Sequence, residues 1–366
     1  ALLDPFGLSA YFFEARTFSV QEKNGLIVPF SGILFINRMV MVLISTFFLW
    51  MSYRLFSFST KRSKKANKRL QLNVSHSNAN LKTFKFPKVN FGHITSFKSA
   101  ISFAKIDLIY LFKSVPIVAV SILLMFYIGM EMYAEIDKGI RLPEKYASSG
   151  LLATSISKNF YLFGALILVY FINDLYWRSH ASSFDFIEKC AYFSKSKMKG
   201  HFLSVSILIC FLTMLLIVEA LIFQLSYDYF SIDWKAYLGV ILFNTFPLIL
   251  FSAFILLIND NFRNRFVSLG VSTIAIFALA TPLSNTILPY PLLQIFSGFK
   301  GLYSDFNGYG VYILAFSERL LFGLGLIGLL WLLNEFIKTK VWNIRTTVFT
   351  TFLLVLGVFN GFYFCL

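Results

Sequence analysis

Ionisable side chains inside apolar runs are the residues of this sequence most suited to chemistry. The candidates for an intramembrane or gate site are Asp174, Arg178, Glu219, Glu318 and Arg319. A charge at the centre of a bilayer costs about 2.5–3.5 kcal/mol on insertion scales, so each of these residues needs a function or a partner.

The position of each of these residues can also be explained by a structural contact, without any functional role. Asp174 precedes Arg178 by four residues, a spacing that favours a helix-stabilising ion pair between the two. Glu318 and Arg319 are adjacent and would point about 100° apart on a helix, so each is expected to find its partner on a neighbouring helix. Glu219 lies late in its run, where it either reaches water or takes part in translocation.

Residue patterns of metal sites, disulfides and nucleotide sites are missing from the sequence. The four histidines and three cysteines are His76, His93, His180, His201, Cys190, Cys210 and Cys365. They show neither metal-ligand spacing nor a CxxC pair, and no HExxH or GxxxxGK[ST] motif is present. We therefore expect no metal, no catalytic residue and no cofactor in this chain. An integral acyltransferase, which would need a nucleophile beside a base, is the least favoured alternative.

The composition indicates the elements that must position these residues. Of the 366 residues 57% are hydrophobic and 14% are charged, whereas soluble proteins have roughly 25% charged residues. Several uncharged runs approach the ~20 residues that a membrane-crossing helix needs, and they lack the alternation of a barrel strand. We predict an all-α polytopic membrane protein with about eight transmembrane helices. The predicted spans are 33–56, 115–132, 160–176, 202–222, 236–258, 266–283, 311–333 and 347–365.

The distribution of charge predicts an orientation. The net charge is +15, and every charged side chain from Arg54 to Lys105 is basic. Basic loops stay in the cytoplasm, so both chain ends are expected outside a bacterial inner membrane. The basic cluster at 61–69 contains no interleaved aromatic residues, which favours contact with anionic lipid over nucleic acid. The chain opens with Ala1 and is expected to be a fragment or a processed protein.

The predicted order of segments follows from these spans. It is an extracytoplasmic loop (1–32), a single span (33–56), a basic cytoplasmic linker (57–95), an interfacial helix (96–113), a six-helix bundle (115–333), a cytoplasmic loop (334–346) and a last span leading outward (347–366). The interfacial helix is expected to place its large apolar residues broadly on one side, at helical spacing: Phe97, Ile101, Phe103, Ile106, Ile109 and Leu111.

Three motifs carry a resemblance to a known family. They are the segment Asp4, Pro5, Phe6 and Gly7, the segment 304–310 with Asp305, Asn307 and Gly308, and the sequence DLYWR at 174–178. With their surroundings they resemble permeases of the ABC exporter type-2 class. More narrowly, they are similar to large bacterial proteins in which two permease halves precede a periplasmic zinc aminopeptidase of the aminopeptidase-N type.

The resemblance implies that other chains or domains carry out part of the function. Residues 33–56 would be the last span of a first permease half, and 115–333 would be the second half. The implied partners are an ABC-type ATPase subunit that holds ATP and Mg, another permease half or a second copy, the lipid bilayer and a periplasmic peptidase domain. The first half is nearly all missing and the zinc motif is absent, so peptidase activity is not implied for this chain.

An ABC permease needs cytoplasmic segments that dock into its ATPase. The predicted coupling loop contains Phe184, Asp185, Phe186, Ile187, Glu188 and Lys189, and a second loop contains Asn259, Asp260, Arg263 and Arg265. Apolar residues with a charged rim are typical of small docking surfaces, although an ordinary interfacial helix would look the same. By the resemblance, Asp174 corresponds to an acidic residue at the gate end of a helix. Residues 284–310 are expected either to form short re-entrant helices or to pack as a loop on other spans.

The leading hypothesis is a permease subunit, or a fragment of one, in an ATP-driven ABC exporter complex. No motif in the sequence identifies its substrate. The alternative from another class is a membrane anchor or structural subunit of an envelope complex that transports nothing itself.

Overall fold

The structure is a computed structural model in which α-helices dominate. It describes residues 7–19, 22, 30–55, 92–136, 145–190, 194–299, 301–310, 312–340, 342 and 344–362. The chain divides into two compact units, Ala1–Phe86 and Pro87–Leu366. Among the described residues β-structure is limited to one isolated bridge, between Ser304 and Gly308.

The first unit joins a short helix to a long apolar one. Helix α1 (Leu8–Glu14) is followed by a 3-10 turn (Ala15–Thr17) and, later, by α2 (Gly32–Leu55). Glu14 Oε1 accepts a hydrogen bond of 2.7 Å from the backbone N–H of Ile33, which satisfies one of the free donors at the start of α2. Gly7 has a φ of +70°, and a Cβ there would lie 2.6 Å from a guanidinium nitrogen of Arg38, so glycine suits this position. Asp4, Pro5 and Phe6 lie outside the described residues.

The second unit is a bundle of long and short helices. They are α3 (His93–Lys113), α4 (Val115–Ile136), α5 (Ser149–Ala181), α6 (Asp185–Cys190), α7 (Ser194–Ser226), α8 (Trp234–Asn261), α9 (Arg265–Leu279), α10 (Ser284–Ile287), α11 (Tyr312–Thr339) and α12 (Ile344–Phe362). Residues Ile241–Thr245 of α8 form a π-helical turn.

The predicted fold class is confirmed. Six helices of the described chain, α2, α4, α5, α7, α8 and α11, are long and apolar enough to cross a membrane. The two remaining predicted spans, 266–283 and 347–365, correspond to the shorter apolar helices Arg265–Leu279 and Thr346–Val358. The chain is thus an all-α polytopic membrane protein.

Helix α5 lies at the centre of the second unit. Phe160, Leu168 and Ile172 of α5 are fully buried, whereas Leu123 and Phe126 of α4 are about two-thirds exposed. A lipid-embedded helix can leave such side chains outward, because hydrocarbon is as apolar as the protein core.

Helix α3 packs along the first half of α7 with its small residues inward. Ala100, Ala104 and Asp107 are buried, and a Cβ on Gly200 of α7 would meet the backbone of Ala100 at 3.0 Å. The prediction that the large apolar residues share one side is wrong in part: Phe97, Ile101, Ile106 and Ile109 are exposed, whereas Phe103 is half-buried and Leu111 is fully buried. The chain breaks its helix at Ser114, whose backbone is extended, and Pro116 then lies in the first turn of α4, where its missing N–H is tolerated.

Helices α11 and α12 approach each other at glycines. A Cβ on Gly325 would lie 2.7 Å from Leu354 Cγ and 2.8 Å from the backbone nitrogen of Leu354. Small residues at such crossings allow close backbone contact, which is a main source of helix association in lipid.

We expect Gly325→Ala to destabilise this hairpin by about 1–3 kcal/mol, because its methyl group meets backbone atoms that cannot rotate away. The matched control is Gly270→Ala in α9, where a Cβ would meet nothing within 4 Å and alanine has the higher helix propensity. Thermal unfolding of the purified variants in detergent measures both effects. Equal melting temperatures for the two variants would contradict the close approach.

Candidate functional site

Six helices meet in a polar network at one end of the second unit, which we call the basic end. There α5, α8 and α11 finish while α7 and α9 begin, and α3 packs beside α7. The basic-end network comprises Asp107, Tyr110, Asn173, Asp174, Tyr176, Trp177, Arg178, His201, Asn259, Asp260, Arg265, Ser268, Asn334 and Lys338.

A buried carboxylate, that of Asp107, joins α3, α5 and α7. Asp107 is 1% exposed; its Oδ1 accepts a bond of 2.8 Å from Arg178 Nη2, and its Oδ2 lies 2.5 Å from His201 Nδ1. A carboxylate can only accept, so the imidazole nitrogen facing it carries the proton. His201 Nε2 is buried and has no hydrogen-bond partner in the described part of the chain. The Arg178 guanidinium also lies 4.6 Å from the centre of the Tyr110 ring, within cation–π range.

The predicted ion pair between Asp174 and Arg178 is wrong. Asp174 accepts a bond of 2.8 Å from the Tyr110 hydroxyl and pairs with Arg265 at 3.4 Å, while Arg178 goes to Asp107. An exposed pair within one helix is worth only about 0.3–0.5 kcal/mol, whereas an unpaired buried carboxylate is far more costly. Partial burial, followed by the bond to Asp174, raises the pKa of Tyr110 above its ordinary value.

Asn259 joins α5, α8 and α9. Its Oδ1 accepts bonds from Trp177 Nε1 at 3.0 Å, from Ser268 Oγ at 2.6 Å and from Asn173 Nδ2 at 3.2 Å. Its own amide nitrogen donates to the Ile255 carbonyl at 3.0 Å. The side chain is fully buried, so all its polar atoms are satisfied by protein.

Asp260 extends the network to α11. It accepts hydrogen bonds from the Tyr176 hydroxyl at 3.1 Å and from Asn334 Nδ2 at 2.7 Å, and it forms an ion pair with Lys338. Arg265 donates to Asn173 Oδ1 at 3.2 Å. Three members of the predicted second loop, Asn259, Asp260 and Arg265, thus fasten the turn between α8 and α9, and Arg263 is exposed within it.

The predicted coupling loop forms α6 beside this network. Phe184 and Ile187 are 48% and 62% exposed. Glu188 forms an ion pair with Lys197, and Lys197 Nζ donates to Ser179 Oγ at 2.5 Å. Because Ser179 follows Arg178 directly, α6 is tied to the helix that carries the Asp107 contact. Asp185, Phe186 and Lys189 lie in or at α6, but their side chains are outside the described part.

The motif at 304–310 forms a tight turn at the opposite end of the second unit. Ser304 and Gly308 exchange backbone hydrogen bonds of 2.9 and 2.7 Å, and Gly308 has a φ of +60°, which favours glycine. Asp305 Oδ1 lies against Gly150, in the first turn of α5, where the helix dipole favours a negative charge. Asn307 accepts a backbone bond of 3.1 Å from Gly310, and Phe306 at the tip is fully exposed.

A cavity of about 590 Å³ opens beside this turn. Phe243 and Tyr309 line it. Its polar groups come from Asp233, Lys235, Tyr303, Asp305 and Asn307. Burial, together with the hydrogen bond that its hydroxyl donates to Asp233, raises the pKa of Tyr303 to about 12. The preceding loop contains α10, a 3-10 turn (Pro291–Leu293) and the buried ring of Phe299.

Of the predicted intramembrane or gate residues, Asp174 and Arg178 belong to the basic-end network, whereas Glu219, Glu318 and Arg319 lie outside it. Glu219 Oε1 lies against Gly129 of α4, and Glu219 Oε2 is buried without a hydrogen-bond partner in the described chain. Glu318 is 5% exposed. Arg319 lies 4.7 Å from the Phe316 ring centre and donates a long bond of 3.4 Å to the Gln294 carbonyl, so its polar contact is to a loop.

Sequence reasoning missed Asp107, His201, Asn173 and Trp177. One signal was present: Asp107 is the single acidic residue between 54 and 113, and it follows Ala100 and Ala104 at helical spacing. In lipid, a stripe of small and polar residues marks the packed side of a helix.

Comparisons with known proteins found no match. No protein-family model, no curated protein and no solved structure matches the chain.

Proposed function

We propose that the chain is the membrane permease component of an ATP-driven complex of the ABC exporter type. ATP and Mg would be held by a separate ATPase subunit that docks at the basic end. The observation that carries the proposal is the position of α6, a short helix with exposed apolar residues fastened to a network that joins six helices.

The contacts of α6 suggest how a docked subunit would act on the bundle. Phe184 and Ile187 offer apolar anchors, and Glu188 is paired with Lys197 at the start of α7. Lys197 also reaches Ser179, next to Arg178, which binds Asp107 of α3. A movement of α6 would therefore be passed to α5, α7 and α3 through charged hydrogen bonds, which are stronger than neutral ones.

The predicted orientation agrees with docking from the cytoplasm. Arg178, Lys197, Arg265 and Lys338 all lie at this end, and basic residues flanking spans stay on the cytoplasmic side. An ATPase supplied with cytosolic ATP must bind there.

The contacts of His201 do not supply the partner that nucleophilic catalysis needs. Asp107 and His201 have the arrangement of an orienting carboxylate and a base. However, the outer nitrogen of His201 is buried and bonds to no hydroxyl or thiol in the described part of the chain. Nucleophilic catalysis needs a nucleophile within hydrogen-bond reach of the base, so we do not propose an acyltransferase.

The test is purification of the tagged protein in mild detergent from its native cells, with mass spectrometry of retained chains and a vanadate-sensitive ATPase assay. We expect the double variant Phe184→Glu with Ile187→Glu to retain at least about tenfold less ATPase subunit, because interface anchors each contribute more than about 1 kcal/mol. Phe306→Glu is the matched control, since Phe306 is exposed at the opposite end.

Two results would count against the proposal. If the unaltered chain retains no ATP-hydrolysing subunit, the alternative of a membrane anchor takes its place. If the double variant retains the ATPase as well as the Phe306 control does, docking occurs elsewhere and the function assigned to α6 is wrong.

A further inference from the structure

A groove of about 530 Å³ runs between α3 and α7 on the surface of the second unit. Its walls are apolar side chains of both helices, and among the residues that the structure describes Lys105 and Lys113 are the two charged ones that line it. The principal apolar residues are Ile101, Leu108, Ile109, Phe112, Leu203 and Ile207.

The groove lies where α7 passes from its basic start into its apolar run. Leu203 and Ile207 follow the basic residues Lys197 and Lys199 within about three turns. Such a transition from basic to apolar residues is expected where headgroups meet acyl chains, and long lysine side chains reach the interface from there.

Both lysines are available to a ligand. Lys105 and Lys113 are exposed, and neither forms an ion pair with any residue that the structure describes. The nearest acid on the same helix, Asp107, is turned inward and bound to Arg178 and His201. The lysines are eight residues apart, which is about 12 Å along the helix. Two lysine side chains are long enough to reach a single headgroup from positions this far apart.

We propose that this groove binds an anionic phospholipid, with an acyl chain along the apolar wall and the headgroup phosphate between Lys105 and Lys113. The charge of the groove is complementary to an acidic headgroup, and its apolar wall matches an acyl chain. Free phosphate would make no contact with the apolar wall. A zwitterionic lipid would place its own ammonium group near the ammonium groups of Lys105 and Lys113, which is unfavourable. The inference rests on the membrane fold and is independent of the proposed ATPase.

Bound lipid would also stabilise the basic-end network. Helix α3 forms one wall of the groove with its outer face and carries Asp107 on its inner face. Because the groove exists when α3 is packed against α7, lipid binding would stabilise that packing by mass action.

The experiment is native mass spectrometry of the full chain with added phosphatidylglycerol or phosphatidylcholine of the same acyl chains. We expect the unaltered chain to retain phosphatidylglycerol preferentially. Lys105→Gln with Lys113→Gln should weaken this binding about thirtyfold, from about five- to sixfold per basic residue at the membrane surface. The double arginine variant should retain binding.

The matched control is Lys145→Gln with Lys235→Gln, which removes two exposed lysines elsewhere on the second unit. Loss of lipid in this control, or undiminished lipid in the Lys105 and Lys113 glutamine variant, would overturn the proposal. So would equal retention of the two lipids by the unaltered chain, or adducts with the mass of free phosphate only.

Discussion

Replacing Asp107 with asparagine is expected to destabilise the second unit by about 2–4 kcal/mol, because the buried His201 loses a charged acceptor and the partly exposed Arg178 loses its ion-pair partner. The amide has nearly the same shape, but it cannot offer two charged acceptors to Arg178 and His201, which stand 2.8 and 2.5 Å from the carboxylate oxygens. His201 is 2% exposed, so its ring cannot turn to water for a substitute. Thermal unfolding of the purified protein in detergent measures the loss.

The matched control for this change is Asp228→Asn. Asp228 is exposed and has a left-handed φ of 56°, which asparagine also accepts, so this variant removes the same charge without disturbing a buried contact. If the melting temperature of Asp107→Asn lies within a degree of that of Asp228→Asn, the contacts of Asp107 with Arg178 and His201 do not hold α3, α5 and α7 together.

The spans were predictable because they depend on composition alone. An apolar run long enough to cross the bilayer must form a helix to satisfy its own backbone, wherever its neighbours lie. The predicted runs 202–222 and 236–258 accordingly fall inside α7 and α8. Helix ends were less predictable, since α5 extends well beyond the predicted 160–176 at both ends, with polar residues that packing keeps helical.

The packed side of each helix was harder to predict, because lipid and protein core are equally apolar. In α3 the large residues Phe97 and Ile101 face outward, while Ala100, Ala104 and Asp107 are buried. A soluble protein would show the reverse, since its large apolar residues would leave water. Amphipathic periodicity therefore identifies a helix here without showing which face meets its neighbours.

The candidate site was predictable only in part, because its partners come from distant positions in the chain. Asp174 and Arg178 were found from the cost of burying charge, but their partners lie on α3 and α9, 71 and 91 residues away for Asp107 and Arg265. Local spacing favoured the pair within α5, and only the arrangement of the helices decides against it. The exposure of Phe184 and Ile187, in contrast, depends on a short local segment.

Replacing Asn259 with leucine is the second change with a large expected effect. Leucine has a similar size, but it removes the acceptor shared by Trp177, Ser268 and Asn173. Asn173 keeps a bond of 3.2 Å to the Arg265 carbonyl, so the donors left without a partner are those of Trp177 and Ser268. Each unsatisfied buried group costs about 1–3 kcal/mol, which predicts a loss of about 2–6 kcal/mol in thermal unfolding.

The control for this change is Asn261→Leu, on the same helix two residues later. Asn261 is exposed, and among the described residues its amide donates to the Leu257 carbonyl at 2.9 Å, so its loss should have little effect. A double-mutant cycle tests the contact itself: Ser268→Ala should destabilise the unaltered protein more than the Asn259→Leu variant, where the hydroxyl has already lost its acceptor. If Ser268→Ala has the same effect in both backgrounds, the two side chains are not coupled. In that case α5, α8 and α9 are held at this end by packing rather than by Asn259.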